Sequence, residues 1–366
     1  MPILKVFNVG HGDAMLFQPK CALRQIPVLI DTGEATYNIY GQISNSQFDV
    51  MITHQDNDHI GGLGNLLKYR QQNIQNIYLP LYLPEINAIF KKLVGISRTN
   101  KTAIQNSNQL LSQYLSKIVF LYDGWHGNRL KQPCCNLAKC SHVQILNPPL
   151  TNFDLLQSKQ DFSDYTFDKA LMDISTANIF NDFDPKSYDP MYIDGQSSEL
   201  RESRIEYFKY IIRLIGFSIS EKRWGLQSAN NLFREASNDI SIVMRYENER
   251  FSILFTGDAG GKILKNLIKQ TKLGRTDILK VPHHGGANSV GRNILNIIQP
   301  NYAILSHGNR VFGKGVVPNA HSVRLLQSHL PPIQILSTNI VNGSSPLIGQ
   351  AMGIVAINSV DSIQFV

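Results

Sequence analysis

The chain has 366 residues, 43% hydrophobic and 17% charged, enough apolar material to bury a sizeable core and the composition of a globular protein rather than a disordered one. No run approaches the ~20 apolar residues of a bilayer-spanning helix. The formal net charge of +7 is carried by the C-terminal part, where residues 260–366 hold ten Lys or Arg against two acids, Asp277 and Asp361.

A basic half favours a polyanionic partner, nucleic acid above all, although a solvated helix face explains Lys262, Lys265, Lys269 and Lys272 equally well. The opening Met1–Phe7 alternates like a strand and lacks the long apolar core of a signal peptide. The expected compartment is therefore the cytoplasm, with no membrane association.

In chain order, Val6–Val9 reads as a strand running into the tight turn Gly10-His11-Gly12-Asp13, after which Ala14–Phe17 resumes the strand. Asp13 there is explained by an Asx-turn. Pro27–Ile30 is a strand that ends on Asp31-Thr32-Gly33. The apolar run Phe48–Ile52, broken only by Asp49, leads to Thr53-His54-Gln55-Asp56-Asn57-Asp58-His59-Ile60-Gly61-Gly62. Residues 63–117 read as mainly helical around one short strand, Ile77–Pro80. Strands are expected at Lys117–Leu121 and Val143–Leu146.

Cys135, Cys140 and His142 could hold a structural zinc, but their spacing is not a standard knuckle, and all four cysteines, Cys134 and the isolated Cys21 included, read as incidental thiols. Residues 150–237 break the rhythm, first rich in Asp and aromatics, then amphipathic and helical from Leu200 to Phe233. This segment is expected to be an insertion within one domain spanning 1–366, either a lid or a protein-partner surface. Strands return at Asn238–Met244 and Phe251–Asp258, followed by a basic helix over Gly261–Thr271. Asp277–Val281 leads to His283-His284-Gly285-Gly286, and Tyr302–Leu305 to Ser306-His307-Gly308. A last pair of strands is expected near Ile333–Leu336 and Ala351–Ile357.

From His54 to His59 the sequence holds two imidazoles and two carboxylates on a strand-to-helix loop, where ligands commonly sit. Without thiolate, such a set suits zinc, manganese or iron poised for hydrolysis. The bland alternative is a polar loop whose Asp and Asn cap the next helix. Strand ends at Asp31, His54, Asp258, His283 and His307 argue against it, because strands ending on one rim would gather all five. Asp258 is suited to bridge two ions, His283 or His284 together with His307 to complete the second ion's set of ligands, and Asp31 to orient a ligand imidazole.

Those motifs, with Asn238, Ser241 and Lys280-Val281-Pro282-His283-His284-Gly285, resemble the metallo-β-lactamase-fold hydrolases, in particular the nuclease-domain branch of the ComEC-type competence DNA-uptake proteins. The resemblance covers 1–147 and 238–330. It implies an α/β (α+β) fold, a four-layer αββα sandwich, here with the inserted mostly helical segment. It also implies two divalent metal ions, Zn or Mn. By position, His54 and Asp56 would bind the first ion, Asp58 and His59 the second, and Asp258 both.

The expected metal ligands are therefore His54, Asp56, Asp58, His59, Asp258, His283 and His307. The expected catalytic set is Asp58, His283, His284 and Asp31. Substrate would be held by Lys280, Asn309, Arg310 and His321, with Arg292 and Lys314 adding charge. Three features depart from the branch: Gly286 follows His-His-Gly where Ser is usual, Phe312–Pro318 replaces a Tyr-Gly-His-Pro element, and the membrane channel is absent. The expected function is a free-standing phosphodiesterase or nuclease that cleaves DNA or RNA through a di-metal-activated hydroxide. The alternatives are a small-molecule hydrolase acting on a lactone, thioester or cyclic nucleotide, and a partner-dependent effector subunit with a nucleic-acid-binding role.

Overall fold

A computed structural model describes residues 3–20, 26–44, 46–125, 142–151, 153, 164–193, 196–312, 315–342 and 348–366. The cysteines, Lys314 and part of the 150–237 segment lie outside these residues. The first half contributes β1 (Leu4–Val6), β2 (Met15–Phe17), β3 (Val28–Ile30), α1 (Ile39–Gln42), β4 (Phe48–Met51), α2 (Asn57–Ile60), α3 (Leu63–Arg70), β5 (Ile74–Pro80), α4 (Leu83–Lys92), α5 (Arg98–Tyr114), β6 (Ile118–Leu121) and β7 (Val143–Asn147). Three helices follow, α6 (Phe167–Ala177), α7 (Ser198–Ser220) and α8 (Leu226–Asp239). The chain then runs through β8 (Val243–Glu247), β9 (Ser252–Phe255), α9 (Gly261–Lys269), β10 (Ile278–Lys280), α10 (Arg292–Ile298) and β11 (Tyr302–Leu305). It closes with β12 (Arg310–Phe312), β13 (Gly315–Val317), α11 (Ala320–Gln327), β14 (Gln334–Ser337), β15 (Gly353–Ala356) and β16 (Ser362–Phe365).

Two sheets form the middle of the molecule, in the orders β15-β16-β1-β2-β3-β4-β5-β6 and β14-β11-β10-β9-β8-β7. Period-two alternation assigns each strand's side chains to two separate cores. Val28 and Ile30, Ile253 and Phe255, Ile278 and Ile304 pack between the sheets. Their neighbours Leu29, Leu254, Leu279 and Ala303 point outward under helices. The central strands β3 and β4, and β9 and β10, each a parallel pair, are buried on both faces, as helix-covered parallel strands must be. The result is the αββα sandwich implied by the resemblance.

Three boundaries differ from the sequence reading. The amphipathic run 200–233 is two helices, because Lys222 takes a left-handed backbone (φ 54°) and Gly225 is fully extended between them. Asn238 and Asp239 belong to α8, and β8 starts at Val243. The last expected pair of strands falls in different sheets, β14 beside β11 and β15 beside β16, the latter a strand the pattern did not announce. Parallel pairing of β16 with β1 closes the chain back onto its start.

The helices after β7 join the outer core rather than standing apart from it. Tyr207 stacks on Tyr82 at 4.2 Å, Phe233 meets Phe90 edge-on at 5.3 Å, and wholly buried Arg204 pairs with Glu85 at 2.7 Å. Among the described residues, no helix is long and apolar enough to cross a membrane.

Candidate metal centre

One rim of the sandwich collects the ends of β1, β3, β4, β9, β10 and β11. Local chain geometry aims each. Asp56 is the N-cap residue of α2, yet its side chain makes no capping hydrogen bond, so its carboxylate is not spent on the helix. That removes the bland account of this loop. Ser107 of α5 donates to Gln55 Oε1 at 3.1 Å and braces the loop from behind. On the far side, His283 and His284 both take left-handed backbone (φ 49° and 51°) before Gly285 (φ 76°), a run that L-residues adopt at a cost of about 1–3 kcal/mol each.

The turn Gly10–Asp13 locks onto the same loop. Gly12 sits at φ +125°, where a Cβ would lie 2.2 Å from the Asp58 carbonyl oxygen, so only glycine fits. Asp13 N–H donates to that carbonyl at 3.2 Å, and Ser306 Oγ donates to the Gly12 carbonyl at 2.6 Å.

Three imidazoles are oriented alike. His59 Nδ1 donates to Asp31 Oδ2 at 2.7 Å, and Asp31 is itself held by the Thr53 N–H (2.7 Å) and hydroxyl (2.8 Å). His284 Nδ1 donates to the Ser306 carbonyl at 2.9 Å. His54 Nδ1 faces Thr53 Oγ1 at 3.2 Å, and that hydroxyl, having given its proton to Asp31, can only accept. Each Nδ1 is thereby committed as a donor, leaving each Nε2 a lone pair in the neutral ring.

The Nε2 atoms converge. His59 Nε2 and His284 Nε2 are 3.2 Å apart, two lone pairs meeting unless a cation or proton lies between them. His54 Nε2 is buried without a hydrogen-bond partner and lies 3.8 Å from Asp56 and 3.9 Å from Asp258. Asp258 is the hub, facing His59 at 3.3 Å, His284 at 3.6 Å and His283 at 3.0 Å. Asp58 lies 3.3 Å from His284 and 3.2 Å from His11.

Spacing separates these contacts from ordinary hydrogen bonds. Around an ion with ~2.1 Å bonds, tetrahedral ligand atoms stand about 3.4 Å apart, whereas charge-assisted hydrogen bonds run about 2.7–2.9 Å. The Nδ1 contact to Asp31 falls in the second range and the inward contacts largely near the first. Two groups of buried or partly buried donors meet the spacing a metal requires: Asp13, His59, Asp258 and His284, and His11, Asp58 and His284. The residues present therefore fit divalent metal ions.

The electrostatics agree. Burial alone would lower His284, but the Asp258 and Asp13 carboxylates outweigh it and push its pKa up to about 10. Burial likewise opposes the charge on His59, and Asp258 and Asp31 raise it well above the ordinary value. Burial and then the neighbouring His59 hold His54 down to about 3, a neutral ring ready to ligate. Burial, Asp58 and Asp258 push Asp56 up to about 7. Without ions, protons on His59 and His284 offset the crowded carboxylates.

The structure brings together His54, Asp56, Asp58, His59, Asp258, His283, His284 and Asp31. Five expected residues are placed elsewhere or otherwise engaged. Lys280 is wholly buried and ion-paired with Asp13, with its ammonium 3.9 Å from Asp258. It therefore neutralises the pocket from beneath and cannot hold a substrate. His307 donates through Nε2 to Ser337 Oγ (2.7 Å) and accepts the Asn309 N–H at Nδ1 (3.3 Å), so neither nitrogen is free to ligate. Asn309 ties its own loop to Ile340 and Asn342. Arg310 pairs with Glu34 at 2.7 Å on the exposed rim, and His321 is exposed on α11.

His11, Asp13 and Asn238 belong to the centre although they were not expected as site residues. Asn238 lies 3.2 Å from His283 Nδ1. The signal for His11 and Asp13 was present as a Gly-X-Gly-Asp turn after a strand, but a turn explained it without a site.

Comparison with known proteins adds two sequence relatives. "Recombination protein 2" of Haemophilus influenzae is 36% identical over 81 residues, 22% of this chain and 10% of that protein. "ComE operon protein 3" of Bacillus subtilis is 32% identical over 107 residues, 28% of this chain and 13% of that protein. Both fit the competence branch. The chain resembles that branch of the metallo-β-lactamase-fold hydrolases. The matched stretches span about a tenth of the length of these relatives. A crystal structure described as a metal-dependent hydrolase of the beta-lactamase superfamily overlays 91% of this chain and 94% of its own, at 12% identity and a TM-score of 0.39. No family model matches the chain.

Proposed function

We propose that this protein is a metal-dependent phosphodiesterase, a nuclease acting on DNA or RNA with two divalent ions. The observation that carries the reading is the convergence of the His54, His59 and His284 Nε2 atoms on Asp258, each ring fixed by a donor bond at Nδ1. Charge supports it. Asp13, Asp31, Asp56, Asp58 and Asp258, when ionised, face one ammonium, that of Lys280, and leave four negative charges for two dications to balance. When bound, such ions lower the pKa of water toward ~7 and neutralise charge gathering on a phosphoryl group.

His54 and Asp56 would hold one ion, Asp58, His59 and His284 the other, and Asp258 both. Asp31, fixed by Thr53, keeps His59 in the tautomer that ligates. Lys280 keeps Asp13 ionised beneath the pocket, where burial alone would favour its acid form. His283 is 43% exposed at its side chain and rests against Asp258 and Asn238, a place from which it can hand a proton to a departing alkoxide. The names of the two sequence relatives, one a recombination protein and one from a ComE operon, and the net charge of +7 favour a polynucleotide over a small neutral substrate.

Purified protein incubated with Mn2+, and separately Zn2+, on single- and double-stranded DNA and on RNA tests the reading, with Asp58→Ala and Asp258→Asn alongside. Cleavage by wild type that disappears in both folded variants is the expected result. No cleavage of any polymer by protein holding two ions would overturn the nuclease assignment.

A further inference from the structure

We propose that His11 is a protein ligand to the ion at Asp58 and His284, so that this position is nitrogen-rich while the one at His54, Asp56 and Asp258 is oxygen-rich. The inference rests on the two-ion reading above and goes beyond it by assigning a ligand from the β1–β2 turn and an order of binding.

His11 Nε2 and His284 Nε2 approach the same oxygen, Asp58 Oδ2, at 3.2 and 3.3 Å. These are the edges of a tetrahedron with ~2.1 Å bonds rather than charge-assisted hydrogen bonds. The two rings lie 4.7 Å apart and tilted by 50°, so they are not stacked face to face. His11 is only 8% exposed, and its three-residue group meets the spacing for a single ion. The turn is also preorganised. A Cβ on Gly308 would lie 2.6 Å from His11 N, so the loop after β11 presses on the His11 backbone. Gly12 and Asp13 are held by Asp58 and Ser306 as described above. The His11 side chain is thus carried on a backbone fixed from two sides, the property a ligand needs and a surface turn does not.

The consequence is asymmetry. Three imidazoles, of His11, His59 and His284, with Asp58 and the shared Asp258 at one position, against the single imidazole of His54 with Asp56 and the shared Asp258 at the other, predict that borderline-soft ions fill the His11 position first and more tightly. The test is titration of metal-free protein with Co2+ and Mn2+, followed by calorimetry and, for Co2+, by visible absorption. Wild type is expected to take up two ions in two steps. His11→Gln should weaken the tighter step about 100-fold and leave the other within about twofold. His11→Cys should bind Co2+ and add a near-ultraviolet thiolate-to-cobalt charge-transfer band, which only a direct bond produces.

Two steps in wild type with both steps unchanged in His11→Gln, or Co2+ bound by His11→Cys without that band, would overturn the assignment while leaving the two-ion centre intact. Wild type binding fewer than two ions would overturn the two-ion reading itself, and this inference with it. Circular dichroism and thermal melts of each variant exclude loss of fold as the cause.

Discussion

Ion binding at this centre must displace protons, and the structure sets the size of the effect. His284 Nε2 can ligate only as the neutral ring, yet Asp258 and Asp13 overcome burial to raise its pKa to about 10. At pH 7 the competing proton therefore weakens binding about a thousandfold, ~4 kcal/mol at 1.36 kcal/mol per unit. His59, raised in the same direction, adds to the proton release. The sign follows: apparent association constants for Mn2+ should rise about tenfold per pH unit for each proton displaced, between roughly pH 6.5 and 8.5. Calorimetry at several pH values, in buffers of different ionisation enthalpy, measures both the slope and the protons released. His284→Gln should reduce the release by one proton and flatten the slope accordingly. The same raised pKa gives the metal-free protein a stability contribution that is full below the unfolded value near 6.5 and fades as pH climbs toward about 10. Affinity independent of pH, with no protons released, would show instead that ions do not occupy the space between these imidazoles.

Three further predictions follow from the same contacts. Lys280→Met strands the Asp13 carboxylate, and Asp13→Asn strands the ammonium. Each should cost ~3–5 kcal/mol, a fall in Tm of about 4–7 °C at ~2.1 cal/mol/K per residue over 366 residues. The double variant should recover much of the loss in a thermal-melt cycle, whereas simple additivity would deny the pair. Thr53→Val removes the hydroxyl that fixes Asp31 and receives His54 Nδ1, and should lower metal affinity about 10–100-fold by calorimetry without unfolding the protein. Gly12→Ala, forced against the Asp58 carbonyl at φ +125°, should cost about 2 kcal/mol or more in denaturant melts and weaken ion binding more than Gly64→Ala, where a Cβ meets nothing within 4 Å.

Much of this centre was legible because its chemistry coincides with strand ends. An apolar run followed by Asp31, His54 or Asp258 is readable without coordinates, since parallel strands must deliver their C-terminal residues to one rim. Residues whose role depends on direction were not legible. Lys280 reads as a cation beside a site, and only strand alternation, which places it on the same face as Ile278, turns it inward onto Asp13. His307 ends a strand as the others do, but Ser337 on the adjoining β14 takes up its Nε2. His11 was hidden in a turn whose glycines had a sufficient local explanation, and its partner Asp58 lies far away in sequence. The helices after β7 were readable as amphipathic, but their packing against α4 depends on Arg204 and Glu85, a pairing across 119 positions that no local pattern signals.

Everything proposed for this pocket depends on its holding two divalent ions. Anomalous X-ray diffraction from crystals soaked in Mn2+ tests it most directly. Two peaks are expected, one among His54, Asp56 and Asp258 and one among His11, Asp58, His59 and His284. A Mn2+-soaked pocket without anomalous density, its imidazoles held by protons alone, would contradict it.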